Sequence, residues 1–396
     1  MPADAVAEDA PEFLIHHANL VTETGTIPNG WLLVKGTRIA DLGAGDVPRS
    51  SGKTILTLDA KGAWLLPGFV DVHVHGGGGA DFMDAEVEAY DRIAAHHVRH
   101  GTTSLLATTV TASKEAIDRV LQAAHDYQEQ PLRYARLAGV HLEGPFLNEQ
   151  RIGAQNPAHL SLPQEEWLEE WLTAYPGLIR LQTLAPELPG AHATIRLLTE
   201  AGVTVSAGHT DATCEEVLAA ADAGLTHGTH CFNAMSGLHH REPGAVGAVL
   251  SDDRITAELI ADGHHVHEAV IRLVLRAKGA DKVALITDAM SASGLGDGRY
   301  ELGGLPVEVT DGVARIAGSG ALAGSTLTML GAFRFAVQRA GATVEEASRM
   351  ASGTPARQIG QDAEFGSLAI GKRADLLLLD ESLALAGVWV DGKPVA

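Results

Sequence analysis

The amino-acid sequence predicts a TIM (β/α)8 barrel with a small β-sandwich domain that is built from both ends of the chain. Between residues 67 and 353, eight apolar segments of strand length alternate with helical patterns, and eight is the number of strands that closes such a barrel. Short alternating segments of β character precede and follow this repeat. The chain is 396 residues long, which is enough for one barrel and a smaller domain.

The candidate strands of the barrel are short, apolar and separated by helical patterns. In chain order they are Phe69–His75, Thr103–Thr109, Leu137–Glu143, Arg180–Ala185, Val203–His209, His227–Phe232, Ile255–Ala261 and Lys282–Thr287. Helices are predicted at Asp84–His100, Ser113–Gln130, Pro163–Tyr175, Ala191–Ala201 and Thr213–Ala223. This order is the β/α repeat from which a parallel barrel is built.

The remaining segments complete the domain prediction. The stretch 300–316 carries two strand patterns about Asp311-Gly312 and is predicted to be a hairpin inserted after the eighth strand. Two closing helices follow, and the second opens with the capping-box sequence Thr343-Val344-Glu345-Glu346. We predict that residues 67–353 form the barrel, and that residues 1–66 and 354–396 together form the discontinuous small domain.

The charge balance argues against several classes of partner. The chain has 29 Lys and Arg against 50 Asp and Glu, a formal net charge of −21, which disfavours nucleic acid or an anionic membrane as the general partner. The two cysteines, Cys214 and Cys231, are too few for a disulfide framework. The first residues show no signal-peptide pattern, and no apolar run approaches the ~20 residues that span a bilayer. We therefore expect a soluble cytoplasmic protein.

The first predicted strand ends in a pattern that is typical of a metal site. Residues two apart lie on the same side of a strand, so the imidazoles of His73 and His75 can converge on one ion. The glycines Gly76–Gly79 follow and let the backbone turn away without covering the site. A strand end with two solvated histidines is the alternative interpretation.

Further potential ligands stand at the ends of other predicted strands. Barrel enzymes carry their catalytic groups at the carboxyl ends of the strands. Here those ends carry His73, His75, Glu143, His209, His230 and Asp288. Taken singly, a carboxylate could cap a helix and a histidine could be a hydrogen-bonded core residue. Together they indicate a centre for one or two divalent transition metal ions, with zinc or iron favoured and manganese or cobalt as the other candidates.

Several segments carry the motifs of a known enzyme family. They are Pro67–His75, His141–Asn148, Gly208–Thr210, His230–Met235, Arg241–Gly244, Ala261–His265, Thr287–Met290 and Gly366–Asp375. They resemble the N-acetylglucosamine-6-phosphate deacetylase family of the amidohydrolase superfamily. The similarity runs in register from about Phe13 to the end of the chain. The segments around Glu143 and from Asn233 to Arg241 are the most discriminating, whereas the last one is widespread in the superfamily.

The resemblance implies a metal-dependent hydrolase of amino-sugar catabolism. Such an enzyme hydrolyses the acetamide of N-acetyl-D-glucosamine 6-phosphate to D-glucosamine 6-phosphate and acetate. The resemblance also implies that Glu143, His209 and His230 hold the ion common to the family. His73 and His75 are then expected to add a second ion, to which Glu143 forms a bridge.

The resemblance also implies the roles of residues around the metal centre. Asp288 is expected to lie beside the second ion, to take a proton from the attacking water and to return it to the departing amine. Arg241, Asn233 and Ala234 are expected to bind the sugar phosphate, with the partner subunit of a homodimer as a candidate source of Arg241. His265 is expected to contact the sugar.

One departure from the family pattern and two alternative functions remain open. Gln155 stands where many relatives have histidine, so it can hydrogen-bond the substrate but cannot become an imidazolium. A cyclic-amide hydrolase of the dihydroorotase or hydantoinase type shares the barrel and the His-x-His pair, but bridges its ions with a carboxylated lysine where this chain has Glu143. A non-catalytic sugar-phosphate-binding protein is the second alternative. The sequence leaves open whether glucosamine or galactosamine is preferred.

Overall fold

The computed structural model describes residues 12–45 and 56–395. Residues 1–11, 46–55 and 396, which the sequence assigns to the small domain, lie outside the described residues. No helix within the described ranges is long and apolar enough to cross a membrane.

The central element is a parallel eight-stranded barrel. Each strand pairs with the next one along the chain. The strands are Phe69–Val74, Thr102–Thr108, Arg136–Glu143, Ile179–Leu184, Thr204–Ala207, His227–Gly228, Thr256–Ile260 and Val283–Ile286. Beyond the last strand, the Asp288 amide donates to the His73 carbonyl at 2.8 Å, and Thr287 Oγ1 donates to Asp71 Oδ2 at 2.5 Å. These bonds join the eighth strand to the first, and the predicted TIM barrel is confirmed.

Five of the strands are shorter than predicted, and in the first, fifth and sixth the difference places a candidate ligand in a loop. The sixth strand contains only His227–Gly228, because His230, Phe232 and Ala234 have positive φ angles of 28°, 82° and 49°, which an extended strand does not allow. The fifth strand likewise ends before His209 (φ 48°), and the first ends before His75. His75, His209 and His230 therefore lie just beyond the strand ends, whereas His73 and Glu143 lie within their strands.

The helices follow the predicted order and cover the barrel. They are Val87–Val98, Lys114–Gln128, Glu165–Ala174, Ala191–Glu200, Cys214–Asp222, Gly244–Ser251, Glu268–Lys278 and Met329–Gln338, with short 3-10 helices at Phe82–Asp84, Glu149–Arg151, Pro157–His159 and Ala280–Lys282. The second helix shows why they form. Ser113 caps it by accepting from the Ala116 amide, and buried Ile117, Val120, Leu121 and Ala124 make one apolar stripe that packs in the core.

The predicted hairpin after the eighth strand is a three-stranded antiparallel sheet. Its strands are Gly298–Leu302, Leu305–Thr310 and Val313–Ile316. The additional strand forms because Gly303 and Gly304, with φ angles of 58° and 80°, make a tight turn that other residues rarely adopt. This inserted sheet packs on Val110 and Met290, which places it beside the loops that follow the second and eighth barrel strands.

Both ends of the chain build a second sheet. Its strands are Glu12–Thr22, Gly25–Lys35, Arg38–Ala44, Leu56–Asp59, Trp64–Pro67, Leu376–Leu379, Leu385–Val390 and Lys393–Pro394. Trp64–Pro67 pairs with the first of these strands on one side and with Leu376–Leu379 on the other, so it joins the two ends. The strands assigned to a β-sandwich thus pair as one continuous sheet around a core that includes Ile15, Leu32 and Leu376.

Residues 344–365, which precede the last strands of the small sheet, close the amino-terminal end of the barrel. After Val344–Ser348, a π-helical turn at Arg349–Gly353 leads into the helix Thr354–Gln358. Three apolar residues of this helix and of the stretch after it cluster with side chains of five barrel strands. The three residues are Ala356, Ile359 and Phe365. Glu364 also pairs with Arg38 of the small sheet at 2.9 Å. Since this segment contacts both units, the boundaries at 66/67 and 353/354 stay a prediction.

Candidate metal centre

Three of the predicted ligands form one group at the carboxyl end of the barrel. Glu143 Oε1 lies 3.1 Å from His209 Nε2 and 3.0 Å from His230 Nε2, and the two Nε2 atoms are 3.1 Å apart. Glu143 ends the third strand, and the two histidines follow the fifth and sixth. All three side chains are buried. Two imidazoles and a carboxylate in this arrangement are a suitable donor set for a transition metal ion.

The other three predicted ligands form a second group against the first. His75 Nε2 lies 3.2 Å from Asp288 Oδ1 and 3.3 Å from Glu143 Oε2. His73 Nε2 lies 3.6 Å from the same Asp288 oxygen and 3.5 Å from Glu143 Oε1. Glu143 thus stands between the two groups, which is the position that a bridging carboxylate requires. The structure therefore brings all six predicted ligands together.

The donor atoms fit a metal ion better than they fit one another. Buried His73 Nε2 makes no hydrogen bond within the described part of the chain, and an unpaired buried polar atom is costly. A divalent cation bound here would accept the lone pair of His73 Nε2 and so give this atom a partner.

Hydrogen bonds behind the rings of His75 and His209 aim their Nε2 atoms at the centre. His75 Nδ1 donates to the Thr108 carbonyl at 3.3 Å, and His209 Nδ1 donates to the Arg151 carbonyl at 3.0 Å. Because a carbonyl oxygen only accepts, each Nδ1 carries the proton and each Nε2 keeps its lone pair for a ligand bond. The tautomer that a metal needs is therefore favoured by the backbone around it.

The electrostatics of the centre favour positive charge. Burial alone would lower the pKa of His75, but hydrogen bonds to Asp288 and Glu143 outweigh it and raise the pKa to about 9. Burial would likewise raise the pKa of Asp288, yet the charge of His73 and the hydrogen bond from His75 hold it below its ordinary value. A site that retains protons this strongly also attracts cations, and a divalent ion would bind in exchange for protons.

The sequence analysis missed one residue of the centre, Glu258. This glutamate is fully buried in the middle of the seventh strand and accepts from His73 Nδ1 at 3.1 Å. Burial would raise its pKa, but hydrogen bonds from His227 and His73 hold the pKa well below the ordinary value, so it is a carboxylate. The signal was present, since a charged residue in the middle of an apolar strand needs a partner.

Gln155 lies beside the ligands, and its orientation is defined. Its Oε1 accepts from the Thr111 amide at 2.7 Å, and its Nε2 donates to Glu143 Oε2 at 2.6 Å. The side chain is only 6% exposed. Its amide thus supports Glu143 in the structure, and because Gln155 also lines the cavity that leads to the centre, its contact with the substrate stays a prediction.

An open cavity of about 390 Å³ leads to the centre. Five of the six ligands line its wall, as do four of the five substrate-binding candidates, Gln155, Asn233, Ala234 and His265. His265 Nδ1 donates to Asp262 Oδ2 at 2.7 Å; burial would lower the pKa of His265, but this hydrogen bond outweighs it and raises the pKa. Sequence reasoning did not find Arg151 or Leu302, which also line the wall. A cavity of this size accommodates a monosaccharide phosphate.

Arg241 is a substrate-binding candidate that does not line the cavity of its own chain. It is exposed, it does not line the cavity, and its Nη1 donates to His240 Nε2 at 2.8 Å. The expectation that this guanidinium stands near the mouth is therefore not met within a single chain. Residues 237–242 of the loop that carries it are all exposed, and the contribution of Arg241 from a second copy stays a prediction.

Fold and site together define a class of protein. A (β/α)8 barrel with two adjoining donor groups of histidine and carboxylate, reached through an open cavity, is a metal-dependent hydrolase. The Amidohydrolase family matches residues 64–395.

Individual relatives narrow the class. N-acetylgalactosamine-6-phosphate deacetylase of Escherichia coli O157:H7 is 41% identical over 364 residues, which cover 92% of this chain and 95% of that protein. N-acetylglucosamine-6-phosphate deacetylase of Lysinibacillus sphaericus is 42% identical over 328 residues, covering 83% and 84%. The Mycobacterium smegmatis N-acetyl-D-glucosamine-6-phosphate deacetylase structure matches with a TM-score of 0.90 and 40% identity, covering 97% of this chain and 100% of that one. The chain belongs to the amidohydrolase family, in its N-acetylglucosamine-6-phosphate deacetylase group.

Removing His73 and His75 should remove one of two metal ions. We expect the metal-replete parent protein to hold two divalent ions per chain. The variant His73→Ala/His75→Ala should hold one ion, because Glu143, His209 and His230 remain. Elemental analysis of dialysed protein measures the ratio.

The exposed group His16, His17 and Asp59 offers a third set of donor atoms, so both proteins should also carry His17→Ala. The variant His125→Ala, which removes an exposed imidazole, should bind metal as the parent does. Equal metal content in the double mutant and the parent would contradict the placement of the second ion.

Proposed function

We propose that the protein hydrolyses the acetamide of N-acetyl-D-glucosamine 6-phosphate and releases D-glucosamine 6-phosphate and acetate. The observation that carries the proposal is Asp288, a carboxylate on the cavity wall beside both donor groups, with its Oδ1 3.2 Å from His75 Nε2. A proton carrier next to a metal centre is what amide hydrolysis needs. The deacetylase names of relatives at 41 and 42% identity support the same reaction.

The residues of this chain would divide the reaction between them. Bound divalent ions, for which we propose zinc or iron, supply a water of lowered pKa and polarise the acetamide carbonyl. Asp288 accepts the proton of the attacking water and then gives it to the amine nitrogen, which cannot leave as an anion. Glu143 holds the two donor groups at a fixed spacing, and Gln155 steadies its Oε2 through the 2.6 Å hydrogen bond.

Substrate binding would use groups on the cavity wall and one from outside it. Asn233, Ala234 and His265 line the cavity, and His265 can donate to sugar hydroxyls or phosphate. The cavity also exposes Arg151, but its guanidinium is paired with Asp211 at 2.8 Å. We propose that Arg241 of the partner in a cytoplasmic homodimer binds the phosphate, because the charge of −21 demands a local cation for an anionic substrate.

A second candidate substrate has specific support. The Escherichia coli O157:H7 relative, which covers 92% of this chain, is named for N-acetylgalactosamine 6-phosphate. The two sugars differ only in the orientation of one hydroxyl, so the same centre could hydrolyse either. Acetate release from both sugar phosphates, assayed with the metal content measured on the same sample, tests the proposal. We expect acetate release from the glucosamine derivative, and a higher kcat/KM for the galactosamine derivative would favour the second candidate. Release from neither sugar would exclude both substrates.

Arg241→Ala should impair use of the phosphorylated sugar selectively. Losing two charge-assisted hydrogen bonds should cost on the order of a few kcal/mol of transition-state binding for N-acetylglucosamine 6-phosphate, and little for unphosphorylated N-acetylglucosamine. Steady-state kinetics with both sugars measure the difference. The control is Arg299→Ala, whose side chain is 89% exposed on the inserted sheet. A loss of equal size for both sugars would remove Arg241 from phosphate binding.

Mixed dimers can show which chain supplies Arg241. A dimer of one Arg241→Ala chain and one Asp288→Asn chain keeps one complete site if the guanidinium comes from the partner, and none if it acts within its own chain. We expect co-expressed, differently tagged chains to recover about half of the parental activity, since one site in two is intact. Failure to recover activity in an intact mixed dimer would argue for action within one chain.

Asp288→Asn should retain the fold and the ion of the first group, while kcat falls at least ~100-fold, because asparagine keeps the size but cannot carry the proton. Since the pKa of Asp288 is lowered, the carboxylate is ionised at neutral pH, and parental activity should decline on the acid side as it becomes protonated. Asp311→Asn, the same change at an exposed turn, is the control. Near-parental turnover in metal-replete Asp288→Asn would exclude this carboxylate as the proton carrier.

A further inference from the structure

Glu258 is a charged residue at the centre of the seventh barrel strand, Thr256–Ile260, where its neighbours are apolar. It is fully buried. A buried carboxylate is very costly unless it is paired and hydrogen-bonded, so its position needs a reason.

Three hydrogen bonds occupy both oxygens of this carboxylate. Oε1 accepts from His227 Nε2 at 3.0 Å, and Oε2 accepts from His73 Nδ1 at 3.1 Å. The same Oε2 accepts from the backbone amide of His230, also at 3.1 Å. A single oxygen therefore contacts the ring of a ligand in the second donor group and the backbone of a ligand in the first.

The contact with His73 determines how that ring faces the centre. A carboxylate only accepts hydrogen bonds, so His73 Nδ1 carries the proton and Nε2 keeps its lone pair. That Nε2 is buried, makes no hydrogen bond to any described residue, and points at Glu143 and Asp288. The ring is also held edge-to-face against His141, with centroids 4.6 Å apart.

The support behind the ring of His73 differs from the support behind the rings of His75 and His209. The rings of His75 and His209 are backed by backbone carbonyls, which are neutral. His73 is backed by a full negative charge, which makes its Nε2 a stronger donor to a cation. The contribution of Glu258 should therefore be concentrated on the second ion.

We propose that Glu258 is a positioning residue that orients His73 and thereby sets the affinity of the second metal position, formed by His73, His75 and Asp288. The inference rests on the proposed two-ion centre, and its readout is independent of the substrate. The carboxylate of Glu258 makes no hydrogen bond to His75 or Asp288, the two residues of that position that line the cavity, or to any residue expected to bind the sugar. It therefore acts on the centre through the ring of His73 and the backbone of His230.

The test replaces the carboxylate by an amide of the same size. In Glu258→Gln we expect the second ion to bind about 10- to 100-fold more weakly, while the first ion is retained. Elemental analysis after dialysis against graded concentrations of free Zn²⁺ gives both affinities, in the His17→Ala background defined above. The d–d spectrum of the Co²⁺-loaded protein should lose the component of the second site. In a chain that already carries His73→Ala, Glu258→Gln should change nothing further, because its effect on the second ion passes through that ring.

Two other variants separate positioning from stability. Asp375→Asn removes another buried carboxylate, paired with Arg136 at 3.2 Å, and should lower the temperature of unfolding while two ions remain. Glu258→Asp keeps the charge on a shorter side chain that cannot reach both His73 and His230, so its affinity for the second ion should lie between parent and Glu258→Gln.

Several results would overturn the proposal. They are parental affinity for both ions in folded Glu258→Gln, equal weakening of both ions, or parental affinity in Glu258→Asp if the glutamine variant does not fold. Failure of both variants to fold would also count against it, since the proposal requires a folded chain that lacks only the second ion. An inactive parent that still binds two ions would contradict the proposed function and leave this inference standing.

Discussion

The buried carboxylate of Glu143 is the constraint on which the rest of the centre depends. It is 1% exposed, with Oε1 3.0 and 3.1 Å from His230 and His209 and Oε2 3.3 Å from His75. Burial would raise its pKa, but the charge of His73 and the hydrogen bonds from His209 and His230 hold it well below the ordinary value. A buried anion ringed by imidazoles is stable only with compensating positive charge, from protons or from metal ions.

The backbone around the centre is strained where the ligands attach. His209, His230 and Asp288 have φ angles of 48°, 28° and 50°, in a region that side-chain-bearing residues rarely adopt. Hydrogen bonds to neighbouring segments hold them there. The Asn148 amide donates to the His209 carbonyl at 2.9 Å, and the Ser325 amide donates to the Asp288 carbonyl at 2.7 Å. The barrel therefore supplies rigidity, and the loops beyond its strands supply the ligand directions.

The chemistry and the substrate recognition have different sources in this fold. The proposed catalytic groups all lie within one chain, on segments that follow barrel strands. The cavity wall also includes Leu302 of the inserted sheet, Leu322 after that sheet, and Arg151, whose guanidinium is paired with Asp211. The cation proposed for the phosphate, Arg241, is exposed and does not line the cavity. Under the proposed function, association of two chains completes the phosphate site, whereas the six candidate metal ligands all belong to one chain.

The sequence by itself determined the barrel, the sheet from both ends and the set of six candidate ligands. It could do so because strand patterns are local, and because the carboxyl ends of parallel strands meet at one mouth whatever the intervening loops do. Only the tertiary structure decided that Glu258 backs His73, that Gln155 donates to Glu143, and that Arg241 does not line the cavity of its own chain. These relations join residues far apart in the chain, and they depend on side-chain directions and loop paths that no local pattern encodes.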